Sequence, residues 1–214
     1  MNAKSVSGTS LLNKKMIEMG AECESIIALS VKALWEGNPV GARKAKEQGH
    51  IIDQMEREIE AICLKLLLQQ QPVAKDLRVI SAALKMITDM ERIGDQAEDI
   101  AEIITFLNGR TGEECHYVRL VAEATIKMVT DSIDAYVKQD LDLAKSVSEY
   151  DDVVDDTFDR VKQTLIKMIS ENTADGEYAL DLLMIAKYFE RIGDHAVNIA
   201  EWVEFSVTGV HKRE

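Results

Sequence analysis

The segment ERIGDQAEDIAE at residues 91–102 returns as ERIGDHAVNIAE at residues 190–201, with nine identities in twelve positions. Self-similarity of that strength at so long a period means two copies of one structural unit, and any fold for the chain has to contain both. The offset of 99 holds upstream, where Asp76 falls on Asp175 and Leu84 on Leu183. Earlier in each unit it becomes 102: Asn38 aligns with Asp140, Ala42 with Ala144, Glu47 with Glu149 and Asp53 with Asp155. The three-residue difference arises near Gln69 to Pro72, and a change of length belongs in a loop.

The units are helical. The 214 residues include two prolines, at positions 39 and 72, and few aromatics, so little in the chain breaks a helix. Asn38 before Pro39 is a helix start, the amide side chain capping free N–H groups and the proline pre-set for the first helical position; Asp140 stands at the matching place. Upstream of these caps, Met16, Met19, Cys23, Ile26, Ile27, Ser30, Ala33 and Leu34 recur every three or four residues. So do Val118, Val121, Thr125, Met128, Val129, Ser132, Ala135 and Tyr136, which is the stripe of a core-facing helix. The pattern predicts helices at 9–37, 39–70 and 72–107, then 113–138, 140–171 and 175–207, with Gly109, Thr111 and Gly112 breaking the chain between units. Short loops make successive helices antiparallel. The expected fold is all-α, two tandem pseudo-symmetric three-helix bundles over residues 1–109 and 110–214.

The net charge of −13 is unevenly divided, 13 Lys/Arg against 16 Asp/Glu before residue 110 and 12 against 22 from there on. An acidic surface repels a phosphate backbone, which argues against nucleic-acid binding and for cations or basic protein surfaces as partners. Three cysteines, Cys23, Cys63 and Cys115, without Cys-x-x-Cys spacing, read as reduced and buried, as suits the cytoplasm. Met1 to Ser10 lacks the apolar centre of a secretory signal, and no run of about 18 uninterrupted apolar residues occurs, so no direct membrane insertion is expected.

Candidate chemistry lies in repeated carboxylates. Glu91 and Asp95 are four residues apart on one helix, as are Glu190 and Asp194, so each pair shares a face. Adjacent carboxylates repel, more strongly if desolvated, and a bound cation reverses that cost. Asp151 and Asp155 have the same spacing on the preceding helix of the second unit, and two such pairs on neighbouring helices can converge on one ion or a small cluster. Oxygen-only ligation suits hard cations. In the first unit the position matching Asp151 is Gly49, which leaves Asp53 on that helix with His50 beside it as a possible nitrogen ligand, while Asp99 extends the Glu91 and Asp95 row where the second unit has Asn198. The competing reading is of solvated acidic faces balanced by Arg92 and Arg191. Gly94 and Gly193 cost roughly 1 kcal/mol each in mid-helix relative to alanine, so something approaches the backbone there, either a metal-bound ligand or a neighbouring helix. His195 points about 100° away from Asp194 around the helix.

The two copies of Glu-Arg-Ile-Gly-Asp, with QPVAKDLRVI at the opening of the third helix, resemble the PhoU family of phosphate-signalling regulators over nearly the whole chain. The resemblance implies a pair of cytoplasmic three-helix bundles, often a homodimer, binding iron, manganese, zinc or magnesium through Glu/Asp-x-x-x-Asp motifs. Carried over, these are Glu91 with Asp95, Glu190 with Asp194, and Asp151 with Asp155; Gly49 departs from the pattern. It further implies an adaptor, not an enzyme, that couples the ATPase of a phosphate ABC transporter to a membrane sensor histidine kinase at the inner face of the membrane and restrains phosphate uptake and the starvation response. Two alternatives stand beside it. A ferritin-like metalloenzyme would use Glu47-x-x-His50 and Glu113-x-x-His116, though the repeat does not pair them; a metal-free helical scaffold would use none of the acids.

Overall fold

The computed structural model of the protein describes residues 3–70 and 73–210. Six long α-helices account for most of them: α1 (Ala3–Glu36), α2 (Pro39–Gln70), α3 (Ala74–Ile104), α4 (His116–Lys138), α5 (Leu141–Glu171) and α6 (Gly176–Thr208), with one-turn 3-10 helices at Gly112–Glu114 and Thr173–Asp175. The fold class expected from periodicity is the one observed. Gln71 and Pro72, where the length change and the start of the third helix are expected, lie outside the described residues.

The caps act as the sequence implies. Asn38 Oδ1 accepts from the N–H groups of Val40 and Gly41 at 3.1 and 3.0 Å, and Asp140 Oδ1 from those of Asp142 and Leu143 at 3.1 and 3.0 Å. The preceding helix ends match as well. Gly37 and Gln139, 102 residues apart, both turn left-handed, at φ 56° and 54°. The next N–H then closes back onto the helix, Asn38 to Ala33 at 2.9 Å and Asp140 to Ala135 at 3.0 Å, which satisfies carbonyls the helix end would leave open. Gly37 has a second reason to lack a side chain: a Cβ there would stand 2.3 Å from the Gly109 carbonyl oxygen.

Helix limits differ from expectation where the hydrophobic stripe gives no information. α1 starts at Ala3, ahead of the expected residue 9, through a segment with no apolar stripe to mark it. α3 ends at Ile104, and Thr105, Phe106 and Leu107 instead bond three residues back, at 3.0, 2.9 and 3.3 Å, a tightened final turn. α4 starts at His116, after the Gly112–Glu114 turn. Gly112 makes that turn possible, since a Cβ would lie 2.1 Å from Trp35 Cζ3.

Within each unit the third helix packs on the first two, and α3 and α6 pack on each other, so one continuous apolar core runs through both units. The three cysteines are free and buried in it. The repeat persists in its buried polar contacts: Cys23 Sγ donates to the Met90 carbonyl, and Thr125 Oγ1, 102 residues on, donates to the Phe189 carbonyl, 99 residues on from Met90. Between the units, Asp89 on α3 accepts from Asn198 Nδ2 at 3.0 Å and His195 Nδ1 at 2.9 Å on α6. The offset of 99 maps Asp89 to Tyr188 and Asn198 to Asp99, and the Tyr188 hydroxyl lies beside the Asp99 carboxylate. One contact thus occurs twice, in opposite senses, about a pseudo-twofold axis between α3 and α6.

Candidate metal centre

Asp53 of α2 and Glu91 and Asp95 of α3 each offer a carboxylate oxygen, and these atoms all lie within 4.8 Å of one another; among the described residues no other three His, Cys, Asp or Glu side chains meet so closely. The helices can bring them together because α3 has no side chain where it crosses α2. A Cβ on Gly94 would stand 3.0 Å from Ile52 Cδ1, so close helix packing is the reason for that glycine. All three acids are half-buried. Burial, then the charge of Asp95, pushes the Glu91 carboxyl above the usual carboxylate range, with Arg92 opposing and Glu56 and Asp53 adding to the rise. Arg92 lies 3.1 Å from Asp95 Oδ2 and 3.5 Å from Glu91 Oε2, so one oxygen of each carboxylate remains for another cation.

A further acid, outside the three that converge within 4.8 Å, packs on α2 beside them. A Cβ built on Gly49 would fall 1.5 Å from Glu98 Oε1 and 2.3 Å from its Cδ, which means that the Glu98 carboxylate of α3 occupies the side-chain space of position 49. Its carboxyl is raised by burial, with His50 opposing and the charges of Asp53 and Asp95 adding to the rise. At 100° per residue, Glu98 stands about 20° behind Glu91 on the helix wheel and Asp99 about 80° ahead of it. Asp99 is accordingly turned to Tyr188 at the inter-unit seam and is not one of the three converging acids. The side-chain space left open at Gly49 is therefore taken by an acid from the partner helix. The sequence carries a trace of this: where the first unit has Gly49 and Glu98, the second has Asp151 and Val197.

The second seam is looser than its sequence suggests. Asp151 is half-buried and pushed up to about 6, by desolvation first and then by the charges of Asp194, Asp155, Glu190 and Asp152. Asp194, exposed by accessible surface but lying against the trough between α5 and α6, is also raised, by partial burial and then by Glu190, with Lys187 and His195 opposing. The four acids are thus electrostatic neighbours, yet no three of them come within 4.8 Å of one another. Two causes are visible. Lys187 Nζ stands 2.5 Å from Glu190 Oε2 without hydrogen-bond alignment, while Thr88 holds the corresponding place in the first unit. Asp155 is exposed. Gly193 is roomier than Gly94, its Cβ position being 3.6 Å from Met128 Sδ and 3.8 Å from Asp151 Oδ1. Geometric convergence is therefore tighter in the first unit, the reverse of the order expected from the count of acids. Arg191 lies 6.0 Å over the Tyr188 ring instead of on the acids. Glu47, His50, Glu113 and His116 are all exposed, and His116 stacks on Tyr117, so the spacings a ferritin-like site would use do not face each other inside a bundle.

An oxygen-only donor set, held by two helices in each unit and repeated at matching places, suits a hard cation. A description of the family model matching this chain reads "PhoU domain", and it matches twice, at residues 16–104 and 118–203. The chain belongs to the PhoU family. Among PhoU relatives, a phosphate-specific transport system accessory protein PhoU homolog of Clostridium acetobutylicum is 36% identical over 200 residues, covering 92% of this chain and 91% of that one. The PhoU homolog 1 of Thermotoga maritima is 35% identical over 191 residues, covering 86% and 81%. The crystal structure of PhoU from Pseudomonas aeruginosa superposes with a TM-score of 0.89 at 33% identity, covering 95% of this chain and 99% of that one. These relatives carry the names of accessory proteins of a transport system, not of enzymes.

Proposed function

We propose that this PhoU-family chain is a regulatory adaptor of a phosphate transport system that binds metal ions in its carboxylate seams. It would restrain phosphate uptake and the starvation response by coupling the ATPase of the phosphate ABC transporter to a membrane sensor histidine kinase. The observation that carries the metal part is the convergence of Asp53, Glu91 and Asp95 within 4.8 Å in a half-buried trough. Carboxylates that repel one another and lose hydration gain most from a cation shared between them, and iron, manganese, zinc and magnesium all accept oxygen ligands. Asp151, Asp155, Glu190 and Asp194 form the second, looser seam, where Lys187 competes for Glu190.

Support for the transport role is the likeness, over nine-tenths of the chain, to relatives named as accessory proteins of phosphate-specific transport. Among the described residues no helix is long and apolar enough to cross a membrane, and the proposed route to the membrane's cytoplasmic face is through protein partners, with the adaptor acting as a homodimer. Two measurements test the reading. Protein purified without chelator should carry bound metal that Asp95→Ala and Asp194→Ala reduce; metal-free preparations under all conditions would refute the metal part. A deletion strain should misregulate phosphate uptake and starvation genes, and unchanged uptake and expression would refute the regulatory part.

A further inference from the structure

We infer that Glu98 is a ligand of the first-unit cation site, supplying from α3 the carboxylate that α2 supplies in the second unit at Asp151. The inference rests on the metal reading above and concerns which residues of this chain complete the seam.

Position 49 is one helical turn from Asp53 on the face of α2 that meets α3, so an acid there would point into the same trough. This chain has glycine there, in mid-helix, at a cost of roughly 1 kcal/mol relative to alanine. Tight helix packing does not explain that glycine, because what fills its side-chain space is neither backbone nor apolar side chain: it is the carboxylate of Glu98, 1.5 Å from the Cβ position at Oε1. Gly49 is buried and Glu98 half-buried, so the acid lies over the neighbouring helix, with His50 and Lys46 as favourable charge neighbours and Asp53 and Asp95 as opposing ones. On the α3 wheel Glu91, Asp95 and Glu98 fall at successive turns of one face.

The second unit makes the opposite choice at both positions. Asp151 replaces Gly49, and Val197, packed against the core, replaces Glu98. An acid on both helices would collide at this point, and an acid on neither would leave the seam one carboxylate short. Each unit carries one. The exchange preserves the number of carboxylates entering the seam while moving the supplier from α2 to α3, which a merely solvated acidic face would have no reason to do.

The test uses the full chain, stripped with chelator and titrated with Mn2+ while free Mn2+ is followed by electron paramagnetic resonance. Asp155→Ala with Asp194→Ala removes the second seam and forms the parent. Glu98→Val should weaken uptake at the remaining site about tenfold or more, the scale on which lost site residues act. Gly49→Ala keeps every acid but fills the space Glu98 occupies; it should weaken uptake similarly while the melting temperature holds or rises. Gly49→Asp combined with Glu98→Val, which copies the second unit, should restore affinity to within about threefold of the parent. Uptake unchanged in both single variants would overturn the assignment of Glu98 and leave the metal reading standing. A double variant no better than Glu98→Val alone would also overturn it. A parent that takes up no Mn2+ would overturn the metal reading and this inference with it.

Discussion

In metal-free protein, Asp151→Asn should raise stability at neutral pH and do little near pH 4. The Asp151 carboxyl is pushed from 3.8 to about 6 by desolvation and by four neighbouring acids. Because the folded state holds this proton more tightly than the unfolded chain, stability falls as pH rises from about 4 to about 6 and the penalty is complete above that. Two units correspond to about 3 kcal/mol as a ceiling. Asp151 keeps some solvent contact and shares its titration with Asp194, so about half, some 1.5 kcal/mol, is the expected gain of the variant at pH 8, shrinking to a few tenths near pH 4. Urea denaturation in chelator at both pH values reads the difference from the midpoint and slope. A variant less stable than the parent at pH 8, or one with an equal gain at pH 4, would refute the electrostatic account. Added Mn2+ should invert the ranking at pH 8, since a ligand that binds only the folded state stabilises it by mass action, and the variant has lost a candidate ligand.

Three other outcomes follow from the geometry. Gly193→Ala should stabilise by up to about 1 kcal/mol through helix propensity, whereas Gly94→Ala must displace Ile52 from 3.0 Å and should be neutral or destabilising, a contrast that paired thermal melts would show. Asp89→Ala removes the acceptor of both His195 and Asn198 and should cost about 1–3 kcal/mol, against about 0.5–1.5 kcal/mol for Tyr188→Phe on the other side of the pseudo-axis; equal costs, measured by urea denaturation, would count against the contacts described. Lys187→Met frees Glu190 from its ammonium partner and should raise Mn2+ uptake at the second seam at least severalfold; unchanged uptake in a direct titration would remove Lys187 as its competitor.

Much of the architecture was legible in the sequence because the forces that set it are local. The limits of α2 follow from Asn38, Pro39 and the apolar stripe, and the capping of α5 from Asp140. Where the stripe gave no information, at the start of α1 and the end of α3, the limits moved. The candidate site was legible only along single helices. Spacing placed Glu91 beside Asp95, but Asp99, one further step along the same row, has rotated far enough to meet Tyr188. The place of Glu98 is not readable along α3 alone. Its exchange with Gly49 spans two blocks whose repeat offsets differ, 102 for α2 and 99 for α3, so no single offset between the units pairs both positions. Lys187 in place of Thr88 was equally visible and equally hard to weigh without knowing which acid the ammonium reaches.

The contact across the pseudo-axis bears on how the halves can change. Two free copies of a three-helix chain meeting at this seam would form an isologous pair, in which every substitution appears twice and any new charge faces its own image. Joining the copies through Gly109 to Gly112 lifts that restriction. Asp89 can answer Asn198 on one side while Tyr188 answers Asp99 on the other, and the carboxylates of the two seams can diverge by single mutations. Covalent fusion here turns a forced symmetry into an independent setting for each half.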